Sequence, residues 1–257
     1  MRLAHLHGYC NKRAPTKLPG RRNCGRVASV AAFFMLSGVA AAVEAPQAPP
    51  PASDLVKSLG DERYQIGKIV VDRKARRMVF PTRVHVVDKP LEYLLTTTGG
   101  MKEYESLLEA DVSGTEFNLG CILLGLERDP RQAPFFQFSK EPLRGPRVEI
   151  SVELPAGGST RRTSAAELLF DADSKQSQPV EWVYVGSQLN AVSNLFGAEQ
   201  AGTLVGFVHD ANSVIESVAG LGIGAYGSVN GNTALLPPVG TEVEMSITVA
   251  DGGPGKN

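Results

Sequence analysis

Two strand-like runs flank the glycine pair Gly99-Gly100 in LEYLLTTTGGMKEYESLLEAD, residues 91–111, and this stretch constrains the fold more than any other. A Gly-Gly pair supplies the positive φ angles of a two-residue turn, so the spacing predicts a tight antiparallel hairpin. In that register Thr98 faces Met101, Leu95 faces Tyr104, Tyr93 faces Ser106 and Leu91 faces Leu108. Side chains alternate along a strand, which places Glu92, Glu103 and Glu105 together on the opposite face. Glu92 and Glu105 become diagonal neighbours, about 7–8 Å apart. Carboxylates gathered on one sheet face bind hard cations, receive basic partners or, at suitable separation, do acid/base work on glycosides. A solvated outer sheet face displays the same residue types, but Leu94 and Leu107 on this face argue that it is partly covered.

The start of the chain sets the expected compartment. Residues 1–42 hold seven of the 26 basic residues and no acid, and the apolar, uncharged VASVAAFFMLSGVAAAV follows from Val27 to Val43. This is the pattern of a secretory signal over residues 1–42, with an A-x-A cleavage site at Ala40-Ala41-Ala42. Left uncleaved, the same stretch is an anchor near the lower length limit for spanning a bilayer. The expected location is extracytoplasmic, periplasmic or secreted, with membrane contact only through this segment. Residues 43–60 begin as a Pro/Ala-rich spacer that stays extended and builds no core. The folded domain is expected over 61–250, followed by a disordered tail at 251–257.

Without its first 42 residues the chain carries a formal charge of −8, which gives no reason to expect a nucleic-acid partner. Its 42% hydrophobic content is enough for an ordinary core. IGKIVV at 66–71 reads as a strand, and MVFPTRVHVV at 78–87 reads as another, made an edge strand or bulged by Pro81. Ser113-Gly-Thr-Glu116 is a capping box that opens a helix from Gly114 to about Leu126, with Phe117, Cys121 and Leu124 on its buried stripe. Residues 129–146 have no clear period. RVEISVEL at 147–154 alternates as a strand, and Ser164-Ala-Ala-Glu167 opens a short helical turn. VEWVYVG, GTLVGFV and VEMSITV supply further strands, and Asn230-Gly231-Asn232 reads as a turn. The expected architecture is α+β: a mostly antiparallel sheet with one buried capped helix and short helical turns.

Beyond the three glutamates, His209-Asp210 at a strand end is a weaker candidate for metal binding or general-base work. No G-x-S-x-G elbow or H-E-x-x-H helix accompanies it. The glycines at 220, 222, 224, 227 and 231 do not make a nucleotide-binding loop.

The segments IVVDRKARRMVF, LEYLLTTTGGMKEYESLLEADV and the capped helix ending LLGLE resemble the YdjY-domain family, as do EWVYVGS, GTLVGFVHD and PPVGTEVEMSI. The resemblance covers most of residues 66–249. At the glycine turn, Glu92, Tyr93, Lys102, Tyr104, Glu105 and Ser106 occupy the family's pattern, with Tyr104 where histidine is common, which weakens a metal or proton-transfer role there. The resemblance implies no established activity. An iron–sulfur cluster, linked with some members, does not fit a chain that keeps only Cys121 after signal removal. The residues therefore point to an exported, non-catalytic binding or scaffold domain, whose ligand they do not name. The alternative is a metal-dependent accessory factor or enzyme using the glutamate-lined face, with a divalent cation.

Overall fold

The computed structural model describes residues 55–177, 179–190, 195–221 and 227–250. The N-terminal apolar stretch, most of the Pro/Ala-rich spacer, Gly222, Gly224 and the tail at 251–257 lie outside them. The strands in chain order are β1 (Val56–Gly60), β2 (Arg63–Ile66), β3 (Ile69–Asp72), β4 (Arg77–Val84), β5 (Tyr93–Thr97), β6 (Ser106–Ala110), β7 (Arg147–Ala156), β8 (Ser159–Ser164), β9 (Leu169–Asp171), β10 (Gln176–Ser177), β11 (Trp182–Tyr184), β12 (Thr203–Gly206), β13 (Ile215–Ser217), β14 (Val229–Gly231) and β15 (Glu242–Val249). Two α-helices are described, α1 (Gly114–Leu123) and α2 (Gly197–Ala201). β1 occupies residues that the sequence assigns to the spacer.

The sheet runs β4-β15-β7-β11-β13-β12-β5-β6 and closes because β6 also pairs with β4, through Arg83 with Glu109 and Val84 with Leu108. Eight strands thus form a barrel. β1, β2 and β3 extend it from β4, β8 hangs on β7, and β10-β9-β14 form a separate small sheet. Cross-strand partners share a face, so one apolar face can be followed around the ring. Phe80 and Met78 pair with Met245 and Ile247, which pair with Val152 and Ile150. Val148 continues to Trp182, Tyr184 to Ile215, Ile215 to Val205, Val205 to Leu95, Leu95 to Leu108, and Leu108 returns to Val84. All of these are buried.

α1 packs on that same face. Phe117 meets Phe80 edge-to-face at 5.8 Å between ring centroids, and the Tyr184 hydroxyl donates to Asn118 Oδ1 at 2.9 Å. The capping box forms: Ser113 Oγ accepts from the Glu116 N–H, and the Glu116 carboxylate accepts from the Ser113 N–H.

The α+β expectation is overturned: the protein is mostly β, a closed barrel with few helical residues. A ten-residue helix cannot cover the apolar face of eight strands, and the sheet instead buries that face against itself by closing. α1 covers only part of the face and leaves Ile122 half exposed. Local alternation records that a strand has two faces; it does not record that the first and last strands of the sheet meet.

Three smaller expectations change as well. Residues 66–71 split into β2 and β3 around Gly67, whose φ is +51°. Pro81 lies inside a barrel strand, but at the gap along one side of β4 between its pairing with β3 and its pairing with β6. A residue without an N–H is accommodated there. Asn230-Gly231 belongs to β14 rather than to a turn.

Candidate functional site

Glu92 and Glu105 meet through a connection the sequence does not predict. β5 and β6 are parallel neighbours, with Tyr93 beside Ser106, Leu95 beside Leu108 and Thr96 beside Glu109. The expected antiparallel hairpin is therefore absent. Gly99 does take a positive φ of +75°, but the chain then returns over the sheet through a 3-10 turn at Glu103–Glu105 before starting β6. Gly100 makes this return possible: a Cβ there would sit 2.8 Å from Thr97 O and 3.2 Å from the Cα of Gly202. Thr97 N–H donates to Gly202 O, and Met101 N–H to Ala201 O, tying the return to the end of α2.

The parallel register sets Glu92 directly alongside Glu105, with the Glu92 N–H donating to Glu105 O at 3.0 Å. Glu92 is 3% exposed. Its Oε2 accepts from Gln137 Nε2 at 3.1 Å and lies 3.7 Å from Lys102 Nζ, which is also 3.4 Å from Glu105 Oε1. Glu105 Oε2 is buried without a hydrogen-bond partner. Burial and the neighbouring Glu105 carboxylate push the Glu92 carboxyl up to about 7, against the pull of Lys102. Burial works against the Lys102 ammonium, but Glu105 and Glu92 outweigh it and hold it above its usual value.

A second pair of acids joins this one. The Tyr93 hydroxyl donates to Asp210 Oδ2 at 3.0 Å, and Asn212 donates to Asp210 Oδ1 from its backbone and its side chain. Burial, then Asp210 and Glu92, raise the Tyr93 phenol far above its usual value. Glu216, fully buried on β13, accepts from the N–H groups of His209 and Asp210 at 3.1 and 3.0 Å. Burial and the nearby Asp210 raise its carboxyl well above the carboxylate range. Gly206 makes room for it, because a Cβ there would run into the Glu216 carboxylate.

His209 adopts a left-handed φ of +65° and is fully buried. Its Nδ1 is 3.2 Å from Ser139 Oγ and its Nε2 is 3.1 Å from Ser217 O. Burial pulls the imidazole below its usual value, against the backbone bonds it makes. With the neutral ring donating from Nε2 to the carbonyl and accepting at Nδ1, His209 ties the strand end to the 129–146 segment.

Of the residues singled out in the sequence, Glu92, Glu105 and Asp210 come together, with His209 linked through Glu216. Glu103 does not join them. Its Oε2 accepts from the Gly99 N–H at 2.7 Å, and its carboxylate lies near His85 and Glu109 instead. Tyr104 is 57% exposed, and Ser106 donates to Leu108 O inside the sheet. Sequence reasoning missed Glu216, Gln137 and the role of Lys102. Lys102 alone had a local signal, since it lies in the turn and three residues before Glu105.

A cleft of about 360 Å³ borders the cluster, lined among others by Arg128, Phe135, Phe136, Gln137 and Asp210. Gln137 connects the two, since it lines the cleft and holds Glu92. The barrel thus holds buried carboxyls of raised affinity for protons beside a cleft walled by Phe135, Phe136, Arg128 and Asp210. The family model of the YdjY domain matches residues 69–248, and the chain belongs to that family. No curated protein and no solved structure matches the chain. No helix among the described residues is long and apolar enough to cross a membrane.

Proposed function

We propose that this protein is an exported, non-catalytic binding domain that receives a basic group of its ligand in the cleft beside Gln137 and Asp210. One observation carries the reading: Lys102 bridges the Glu92 and Glu105 carboxylates, while Asp210, whose N–H is bonded to Glu216, opens onto the cleft beside Gln137. Asp210 is the acid in the lining of that cleft, and a basic group of a ligand would pair with it there. Two of the candidate catalytic groups are already committed: His209 to Ser139 and Ser217, Asp210 to Tyr93 and Asn212. Export rests on the basic and apolar pattern at the start of the chain.

The test is titration of the protein with L-lysine amide and L-arginine amide, followed by NMR shifts of the Gln137 and Asp210 amides. Saturable shifts that weaken at least tenfold in Asp210→Asn support the reading, and their absence removes it. The second reading, an enzyme or accessory factor using the glutamates, is favoured by the Glu92 carboxyl near 7, a value suited to proton transfer. It requires an activity lost in Glu92→Gln with a pH profile that breaks near that value.

A further inference from the structure

The geometry points to a divalent transition-metal site made by His85, Glu103 and Glu109, separate from the Glu92 cluster and independent of the function proposed above. These three side chains each offer one ligand atom, and the atoms lie within 4.8 Å of one another. They come from three different places: His85 follows β4, Glu103 belongs to the return between β5 and β6, and Glu109 lies on β6. The parallel return carries Glu103 to the other two, so the site exists only because the expected hairpin does not form.

The distances suit coordination better than direct pairing. His85 Nδ1 and Glu109 Oε2 are 3.7 Å apart, beyond a charge-assisted hydrogen bond of about 2.7–2.9 Å. Two ligands bound tetrahedrally to one ion at about 2.0–2.2 Å sit roughly 3.3–3.6 Å apart. A small closure of the three side chains reaches that geometry. Each carboxylate is also oriented from outside: Glu103 Oε2 accepts from the Gly99 N–H, and Glu109 Oε1 faces Arg83 Nε at 3.4 Å. Metal-binding carboxylates are commonly held in this way by an outer partner.

Two further observations bear on Glu109. It is 7% exposed, and its side chain meets Arg83 at 3.4 Å and His85 at 3.7 Å. Beside it in the ladder Thr96 is fully buried, with a hydroxyl that has no hydrogen-bond partner. Neither the Arg83 nor the His85 contact is a short charge-assisted bond, so the Glu109 carboxylate keeps acceptor capacity for a cation. One imidazole and two carboxylates, with no thiolate, select zinc, manganese or another first-row divalent ion over calcium or magnesium.

The experiment uses the full chain carrying His5→Ala, His7→Ala, Cys10→Ser and Cys24→Ser, which removes other metal ligands near its start. Zn²⁺ is titrated calorimetrically, Co²⁺ is followed by its visible d–d absorption, and Ca²⁺ and Mg²⁺ serve as comparison. The expected result is one saturable Zn²⁺ site and a Co²⁺ band. Both weaken at least tenfold in His85→Asn and in Glu103→Gln, and neither changes in Glu92→Gln. Glu103 lies on a surface turn, so its variant reports on the site where His85→Asn perturbs folding. Absence of saturable Zn²⁺ binding, or binding unaltered in both variants, overturns the assignment, as does loss in Glu92→Gln alone.

Discussion

The Glu92 N–H donates to Glu105 O across two parallel strands, and this backbone bond forces their carboxyl groups into the same buried space. Like charges at such proximity cannot both ionise easily, so the pair retains a proton that separate glutamates would release.

Stability therefore falls as pH rises. The Glu92 carboxyl is raised from 4.5 to about 7 in the folded state, so the folded protein binds more protons than the unfolded chain between these values. Its contribution is complete below pH 4.5 and is lost as pH rises through 7. Glu92→Gln, which cannot ionise, should flatten this limb. It should gain about 1–2 kcal/mol on the parent between pH 5 and pH 8, allowing for the screening ammonium of Lys102. Urea denaturation across the range measures it, and an unchanged pH slope would show that the pair does not hold the proton.

His209 acts with the opposite sign. Burial holds its imidazole below 6.5, so its contribution is present above pH 6.5 and disappears as pH falls below that value. His209→Asn keeps a residue that tolerates the left-handed backbone. The variant should lose the acid-side decline, while its alkaline side lies below the parent by about 1–3 kcal/mol for the lost bonds to Ser139 and Ser217. Thermal melting between pH 5 and pH 8 reads both limbs.

Gly206 and Glu216 are coupled through space. A methyl group at Gly206 would strike the Glu216 carboxylate and stand 2.9 Å from Ser213 Oγ. Gly206→Ala should cost about 2 kcal/mol or more, as overpacking of a rigid core does. In a Glu216→Ser background the same change should cost less than about 1 kcal/mol, and a double-mutant cycle gives the coupling. Equal costs in both backgrounds would separate the two residues.

The return between β5 and β6 depends on Gly202 more than on Gly99. Both have left-handed φ angles, +71° and +75°, but only a Cβ at Gly202 meets a neighbour, the Gly100 Cα at 2.7 Å. Gly99→Ala should cost about 1 kcal/mol from its backbone conformation alone. Gly202→Ala should cost roughly 2–3 kcal/mol, the excess reporting the lost close approach. Chemical denaturation of the two variants compares them directly.

The capping box at Ser113 and Glu116, the alternation of Arg147–Leu154 and the burial of Cys121 were legible because each depends on residues close in sequence. The hairpin was misread for an instructive reason. Tyr93 stands beside Ser106 in the expected antiparallel register and in the observed parallel one alike, so the motif at that pair is satisfied by either direction of the strand. Away from the pair the two registers diverge. The parallel one brings Glu105 alongside Glu92 and sends Glu103 to His85 and Glu109. By itself the sequence determined several of the longer strands, among them Arg147–Leu154 and Val243–Val249, where α1 begins and that Glu92 and Glu105 belong together, since alternation, capping and turn chemistry act over a few residues. The direction of β6, the closure of the barrel onto β4 and the recruitment of Asp210 and Glu216 were decided only by the tertiary structure. They depend on contacts such as Gly100 against Gly202 and Glu216 against Gly206, whose partners are distant in the chain or are given a shared site only when β12 and β13 pair in parallel.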